Sequence, residues 1–182
     1  MSTMPPLRCE PVDLDAMLAA REQRVERQRV AMARFGLPVV SVTLVMPGPV
    51  KDTPSARFAM QVASDALDAL FRRQAWAVAF VKQIRGATGA EALYAVAVDA
   101  LDLKRALIEL EDSHPLGRLW DLDVICPTRG AISRGSLGQQ TRRCLICGEP
   151  AHSCARSRRH PLVVLMASIE EKINAYRGRF AS

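Results

Sequence analysis

Aromatic residues make up only 5% of the 182 residues, and no run interleaves them with basic side chains. Surfaces that stack nucleic-acid bases need such rings, so this composition argues against a nucleic-acid partner. No apolar run approaches the ~20 residues that a membrane helix needs. The first ten residues carry no apolar stretch of the kind found in a secretory leader. The expectation is a soluble, cytoplasmic protein with no membrane partner. Internal repeats and low-complexity segments are also missing. Acids are scarce in one place. Between Arg129 and Arg159 seven arginines (129, 134, 142, 143, 156, 158 and 159) face one acid, Glu149. That patch suits a phosphate or an acidic protein, or it is a solvated basic loop.

What is present fits one α+β domain over residues 1–182. Nearly half the residues are hydrophobic, at 49%, and the net charge is +6. Such a chain can bury a real core, and its charge favours a polyanionic partner. Residues 12–35 read as an N-terminal helix, with Asp13 as N-cap and Gly36 as the stop. Leu14, Leu18, Val25 and Met32 fall on one stripe at 100° per residue. Arg21 lies inside that stripe, with Arg24 and Gln28 on its margin. A buried arginine needs a partner. It pairs with a carboxylate, reaches a substrate phosphate, or snorkels to solvent.

Residues 37–134 form the expected catalytic core. A β-branched run at 37–46 reads as a strand, and Pro47-Gly48-Pro49 ends it. Thr53 and Pro54 then open a helix with Phe58, Val62, Ala66 and Leu70 inward. Lys51 and Asp52 lie between strand end and helix start, where anions are favoured. Strands follow at 76–84 and 93–98, then a helix capped by Asp99 with Leu103, Ala106, Leu107 and Leu110 inward. The order is a helix followed by β-α-β-β-α-β. It predicts an antiparallel four-stranded sheet with helices packed on one face, ferredoxin-like or nucleotidyltransferase-like. Residues 128–133 add an edge hairpin, residues 141–160 a Cys-rich basic segment, and residues 161–178 a C-terminal helix with Leu162, Met166, Ile169 and Ile173 inward.

The stretch most charged with chemistry is Trp120-Asp121-Leu122-Asp123-Val124. Side chains alternate along a strand, so Asp121 and Asp123 point the same way. Two adjacent carboxylates repel unless a cation lies between them or one is protonated. Mg2+, held by carboxylates and substrate phosphates, is the usual solution; an edge strand facing water is the plain alternative. Gly117 permits a tight turn before the strand, Arg118 offers a phosphate donor, and His114 is a base, a phosphate donor or a helix-end cap.

The run Ile108-Glu109-Leu110-Glu111-Asp112-Ser113-His114-Pro115-Leu116-Gly117-Arg118-Leu119-Trp120-Asp121-Leu122-Asp123-Val124 resembles the signature of the holo-citrate lyase synthases, the apo-citrate lyase phosphoribosyl-dephospho-CoA transferases. The resemblance continues through Pro47-Gly48-Pro49-Val50-Lys51-Asp52, Arg142-Arg143-Cys144-Leu145-Ile146-Cys147 and Cys154-Ala155-Arg156. It implies transfer of a 2'-(5''-phosphoribosyl)-3'-dephospho-CoA group from triphosphoribosyl-dephospho-CoA to a serine of the citrate lyase acyl carrier protein subunit, with loss of pyrophosphate. For that nucleotidyltransferase chemistry Asp121 and Asp123 are the expected Mg2+ ligands, with Asp52, Glu109 or Glu111 as a further carboxylate. Lys51, Arg118, Arg21 and Arg24 would contact the triphosphate. Arg142 and Arg143 would meet CoA phosphates or the carrier protein. His114 or an aspartate would take the serine proton. A related acceptor, the malonate decarboxylase carrier protein, fits the same chemistry.

Cys144, Cys147, Cys154 and His160 form C-x2-C-x6-C-x5-H, a donor set for a structural Zn2+. A disulfide or redox role is less expected in a reducing compartment. Cys9 and Cys126 have no evident partner. Two other readings stand beside the transferase: a non-catalytic factor that docks an acidic carrier protein, and an RNA-binding ferredoxin-like module. The RNA reading has few strand aromatics, Trp76, Tyr94 and Trp120 among them.

Overall fold

The computed structural model describes residues 9–179, so the first eight residues of the stretch read for a leader lie outside it. The elements are α1 (Leu14–Phe35), β1 (Val39–Leu44), α2 (Pro54–Arg73), β2 (Ala77–Ile84), β3 (Glu91–Ala97), α3 (Ala100–Ser113), β4 (Trp120–Cys126), β5 (Gly130–Ile132), α4 (Ala151–Ser157) and α5 (Leu162–Gly178). The caps behave as their chemistry dictates. Asp13, Thr53 and Asp99 each accept a backbone N–H of the first helical turn, and Gly36 takes the left-handed conformation that ends α1.

The five strands form one antiparallel sheet in the order β2-β3-β1-β4-β5. The edge hairpin expected at 128–133 supplies the fifth strand. On one face Val40, Val42, Tyr94, Val96, Trp120, Leu122 and Val124 pack beneath α2, α3 and α5. Leu67 and Phe71 of α2, Leu103 and Leu107 of α3, and Ile169 and Ile173 of α5 complete this core. Fully burying each large apolar side chain of this kind contributes about 1.5–3 kcal/mol. Tyr94 and Trp120, two of the strand aromatics considered for stacking bases, are buried here.

Helices on one face alone proved too simple. Helix α1 lies across the other face, against β1 and β3. Its expected apolar stripe is also displaced: Leu14 is 71% exposed and Val25 62% exposed, with Leu18 exposed as well. The reason is what lies beneath the helix. Near its C-terminal end Ala31, Met32 and Phe35 pack on Val39, Leu93, Ala95 and Ile125. Further back the sheet presents Ser41, Glu91 and the Asp121–Asp123 pair, so α1 turns polar residues toward it. Gln28 donates to the Ser41 hydroxyl at 2.9 Å, and Arg24 and Arg27 reach Glu91. Helix α4, inside the Cys-rich segment, was not foreseen, and Leu162 at the start of α5 is exposed rather than inward. No helix among the described residues is long and apolar enough to cross a membrane.

Candidate functional site

Strand β4 carries the Asp121–Asp123 pair, and its two faces differ. Trp120, Leu122 and Val124 are buried in the core, while Asp121 and Asp123 point toward the α1 side, paired in register with Thr43 and Ser41 of β1. Asp123 keeps exposed surface, but partial loss of hydration, followed by the charge of Asp121, holds its carboxyl above the ordinary range. A bound cation would relieve both causes. The pair offers hard oxygen donors, which fit Mg2+. Asp121 keeps one oxygen on Arg142, with Nη1 donating to Oδ1 at 3.0 Å.

A cavity of ≈ 290 Å³ opens beside Asp121. Arg21 and Arg24 from α1, Lys51 from the loop after β1, and Glu91 from β3 line it. Four residues expected at a phosphate or metal site, Arg21, Arg24, Lys51 and Asp121, therefore meet although they are up to 100 positions apart. Lys51 donates to the Met46 carbonyl at 2.6 Å, and burial followed by the charge of Arg21 pulls its pKa down. Two cations held together in this way favour a polyanion between them. Glu91 was not foreseen. It is buried, and its two oxygens accept from Arg24 Nη2 at 2.6 Å and Arg27 Nη2 at 2.5 Å. Its signal was legible: an acid opening an apolar strand, answered by arginines three positions apart on a helix.

A second, larger cavity of ≈ 660 Å³ lies beyond Val45, which lines both. Pro47, Leu145, Ala155, Leu162 and Leu165 give it an apolar wall, with Arg118, Arg142, Arg158 and His160 among its lining. Burial, and next the charge of Arg142, lowers the pKa of Arg118. Arg142 links this cavity to the aspartates. Besides Asp121 it contacts Glu111 Oε1 at 3.1 Å and donates to the Trp120 carbonyl. Arg143 is exposed and donates to the Gly148 carbonyl at 3.3 Å.

Three expected residues stand elsewhere. Glu111 is not a solvent-facing helical acid. It is 2% exposed, accepts from the Leu122 amide at 2.9 Å, and pairs with Arg134 at 2.6 Å. The reason is an incomplete edge. Strand β5 pairs only with Val124–Cys126, so α3 closes the earlier part of β4 with side chains. Glu111 takes the Leu122 N–H, and buried Lys104 donates to the Leu122 carbonyl at 2.7 Å. Gly117 is needed at the same place, because a Cβ there would stand 2.3 Å from the Glu111 carbonyl oxygen. Asp52 is buried against Arg57, which binds both its oxygens at 2.7 and 2.8 Å, and it does not line the cavity. Glu109 is exposed and lines a separate groove with Arg105 and Asp112.

His114 also differs from expectation. Its ring lies 4.4 Å from the Trp120 ring and 5.3 Å from that of Tyr176, on the helical face of the sheet. Nδ1 accepts from the Leu116 amide at 3.0 Å, so the ring closes the turn after α3. Burial, followed by the charge of Arg179, pushes its pKa down. The sheet separates it from the carboxylates of Asp121 and Asp123.

In the Cys-rich segment the ligand atoms of Cys144, Cys147, Cys154 and His160 all lie within 4.8 Å of one another, a group that can hold a metal ion. Cys126 is buried and Cys9 exposed, away from this group.

A sequence profile described as apo-citrate lyase phosphoribosyl-dephospho-CoA transferase matches residues 12–176. Proteins of that name from Escherichia coli strain SMS-3-5 and from Shigella boydii serotype 18 are each 40% identical to the chain over 163 residues. Those alignments cover 90% of this chain and 89% of each relative.

Proposed function

The chain belongs to the apo-citrate lyase phosphoribosyl-dephospho-CoA transferase family, and from that premise we propose that it transfers the 2'-(5''-phosphoribosyl)-3'-dephospho-CoA group to a serine of the citrate lyase acyl carrier subunit. The observation that carries this reading is the convergence of Arg21, Arg24 and Lys51 on Asp121 around one cavity. The serine oxygen attacks the innermost phosphorus of the donor's triphosphate. A serine O–P bond forms, the bond to the next phosphate breaks, and pyrophosphate leaves. This is nucleotidyltransferase chemistry, which depends on alignment and charge stabilisation more than on covalent help.

Asp121 and Asp123 would hold Mg2+, which supplies charge neutralisation on the phosphoryl oxygens. Arg21, Arg24 and Lys51 bind the triphosphate and steady the leaving pyrophosphate. Arg142 orients Asp121 by the 3.0 Å contact. His114 lies across the sheet, which leaves an aspartate of the pair to accept the serine proton. The larger cavity suits the dephospho-CoA portion, with apolar walls for the pantetheine arm and Arg118 and Arg158 for its phosphates. The exposed basic residues of the 141–160 segment suit an acidic carrier protein. The strand order β2-β3-β1-β4 supports a ferredoxin-like core in preference to other nucleotidyltransferase sheets.

The test is the intact mass of apo carrier subunit after incubation with this protein, Mg2+ and the triphosphoribosyl donor. A gain equal to the donor less pyrophosphate, lost with EDTA and with Asp121→Asn, is expected. No gain with wild-type protein and a competent donor and acceptor overturns the transferase and favours a carrier-docking factor. A malonate decarboxylase carrier run in parallel reads acceptor choice.

A further inference from the structure

The segment from residue 141 to 160 has little apolar to hold it together: Cys154 is its only buried residue, and Leu145 is partly buried against the main core. It nevertheless takes a defined shape. The Cys144 amide donates to the Glu149 carbonyl and the Ala151 amide to the Arg142 carbonyl, each at 2.8 Å, which closes a small hairpin around Cys144-Leu145-Ile146-Cys147-Gly148. Helix α4 then presents Cys154. Arg158, in the left-handed region at φ 49°, turns the chain back so that His160 returns to the cysteines. Folding that gathers three thiols and an imidazole in place of a core points to a ligand that serves as the core.

The spacings identify its chemistry. With metal–sulfur bonds of about 2.3 Å and tetrahedral angles, neighbouring sulfurs stand roughly 3.8 Å apart, and a sulfur and an imidazole nitrogen roughly 3.6 Å. Here Cys147 Sγ is 3.5 Å from Cys154 Sγ and 3.4 Å from His160 Nε2. The Ile146 amide points at Cys144 Sγ at 3.5 Å, the kind of outer contact that orients a thiolate ligand. Thiolates select soft or borderline ions, and a set of three sulfurs and one nitrogen is a closed tetrahedral Zn2+ shell with no position left for water or substrate.

We propose that Cys144, Cys147, Cys154 and His160 bind one structural Zn2+, and that this ion fixes both Arg142 and the apolar wall of the larger cavity. Three of the four ligands, Cys144, Cys154 and His160, line that cavity. Arg142 stands two residues before the first ligand and reaches Asp121 and Glu111 from the base of the hairpin. The ion is distinct from the Mg2+ proposed at Asp121 and Asp123, where only oxygen is offered.

Metal analysis of protein purified under nitrogen without added reductant tests the site. One Zn2+ per chain is expected, retained by Cys9→Ser and lost from Cys147→Ser and Cys154→Ser. Where those variants fail to fold, the wild-type protein serves: a mercurial thiol reagent should release one Zn2+ per chain, read with a chromogenic chelator. Trypsin should then cleave at the arginines of residues 142–159 at least tenfold faster, and added Zn2+ should reverse this in protein whose metal was removed by chelation. Absence of Zn2+ even after reconstitution overturns the site. So do cysteine variants that bind as wild type, or three free thiols among the five cysteines of the denatured, unreduced chain, which marks a disulfide. Metal content and cleavage are read with neither donor nor acceptor present, so they stand apart from the transfer reaction.

Discussion

On β4, Trp120, Leu122 and Val124 are sealed beneath three helices, while Asp121 and Asp123, interleaved with them, face α1 and keep access to water. The two sides of one sheet are built on different physics. The helical side is close-packed hydrocarbon, where a change of one methylene is felt. The α1 side is held by arginine–carboxylate and amide–hydroxyl contacts across a small apolar patch, and it encloses a cavity instead of filling it. The chemistry proposed for a charged donor is assigned to the second side, where Asp121 and the cations Arg21, Arg24 and Lys51 line one cavity. The helical side holds the strand that aims the two carboxylates.

The largest expected effect tests that division directly. Asp121→Asn should lower carrier modification by about 10²–10³-fold while leaving the thermal midpoint near wild type, as measured by intact mass and differential scanning fluorimetry. A comparable loss of both would mean that the polar side also carries the fold. Glu111→Ala should do the reverse. Arg134 keeps its second carboxylate, Asp112, but the buried Leu122 amide loses its acceptor, which costs about 1–3 kcal/mol. Urea unfolding checks this, and a loss below about 1 kcal/mol would show that Glu111 is effectively solvated.

A smaller effect is expected at the cavity. Arg21→Ala should raise the donor KM roughly 10-fold or more, as for the loss of one charge-assisted contact, with little change in stability because the residue is exposed. Initial rates against donor concentration separate KM from kcat. The smallest effect concerns pH on the sealed side. The folded-state pKa of His114 lies below its ordinary 6.5, so the unfolded chain takes up the proton first. Its contribution is therefore present above pH about 6.5 and is lost as pH falls through the interval below that value. Urea midpoints between pH 7.5 and 5.5 should decline in wild type and decline less in His114→Phe. An equal decline in both would remove His114 as the source.

Much of this was readable along the chain because the governing rules are local. Helix caps at Asp13, Thr53 and Asp99, the alternation that puts Asp121 and Asp123 on one side, and the grouping of Cys144, Cys147, Cys154 and His160 all follow from dihedral preferences and short spacings. A stripe of apolar residues on α1 was equally visible, yet Leu14 and Val25 point to solvent. Periodicity says that one side of a helix differs from the other and is silent about which side another element will cover.

The order of the helices and strands apart from α4, the facing of the carboxylate pair and the grouping of three cysteines with a histidine were thus written in the residues. The sheet crossing decided the rest. It set Glu91 under Arg24 and Arg27 and put His114 behind the sheet with Trp120. It buried Glu111 against an edge that the short β5 leaves open, and it brought Arg142 onto Asp121. Each of these is a meeting of residues distant in sequence, where burial of a charge is tolerable only because a particular partner arrives. Only the assembled chain supplies that partner.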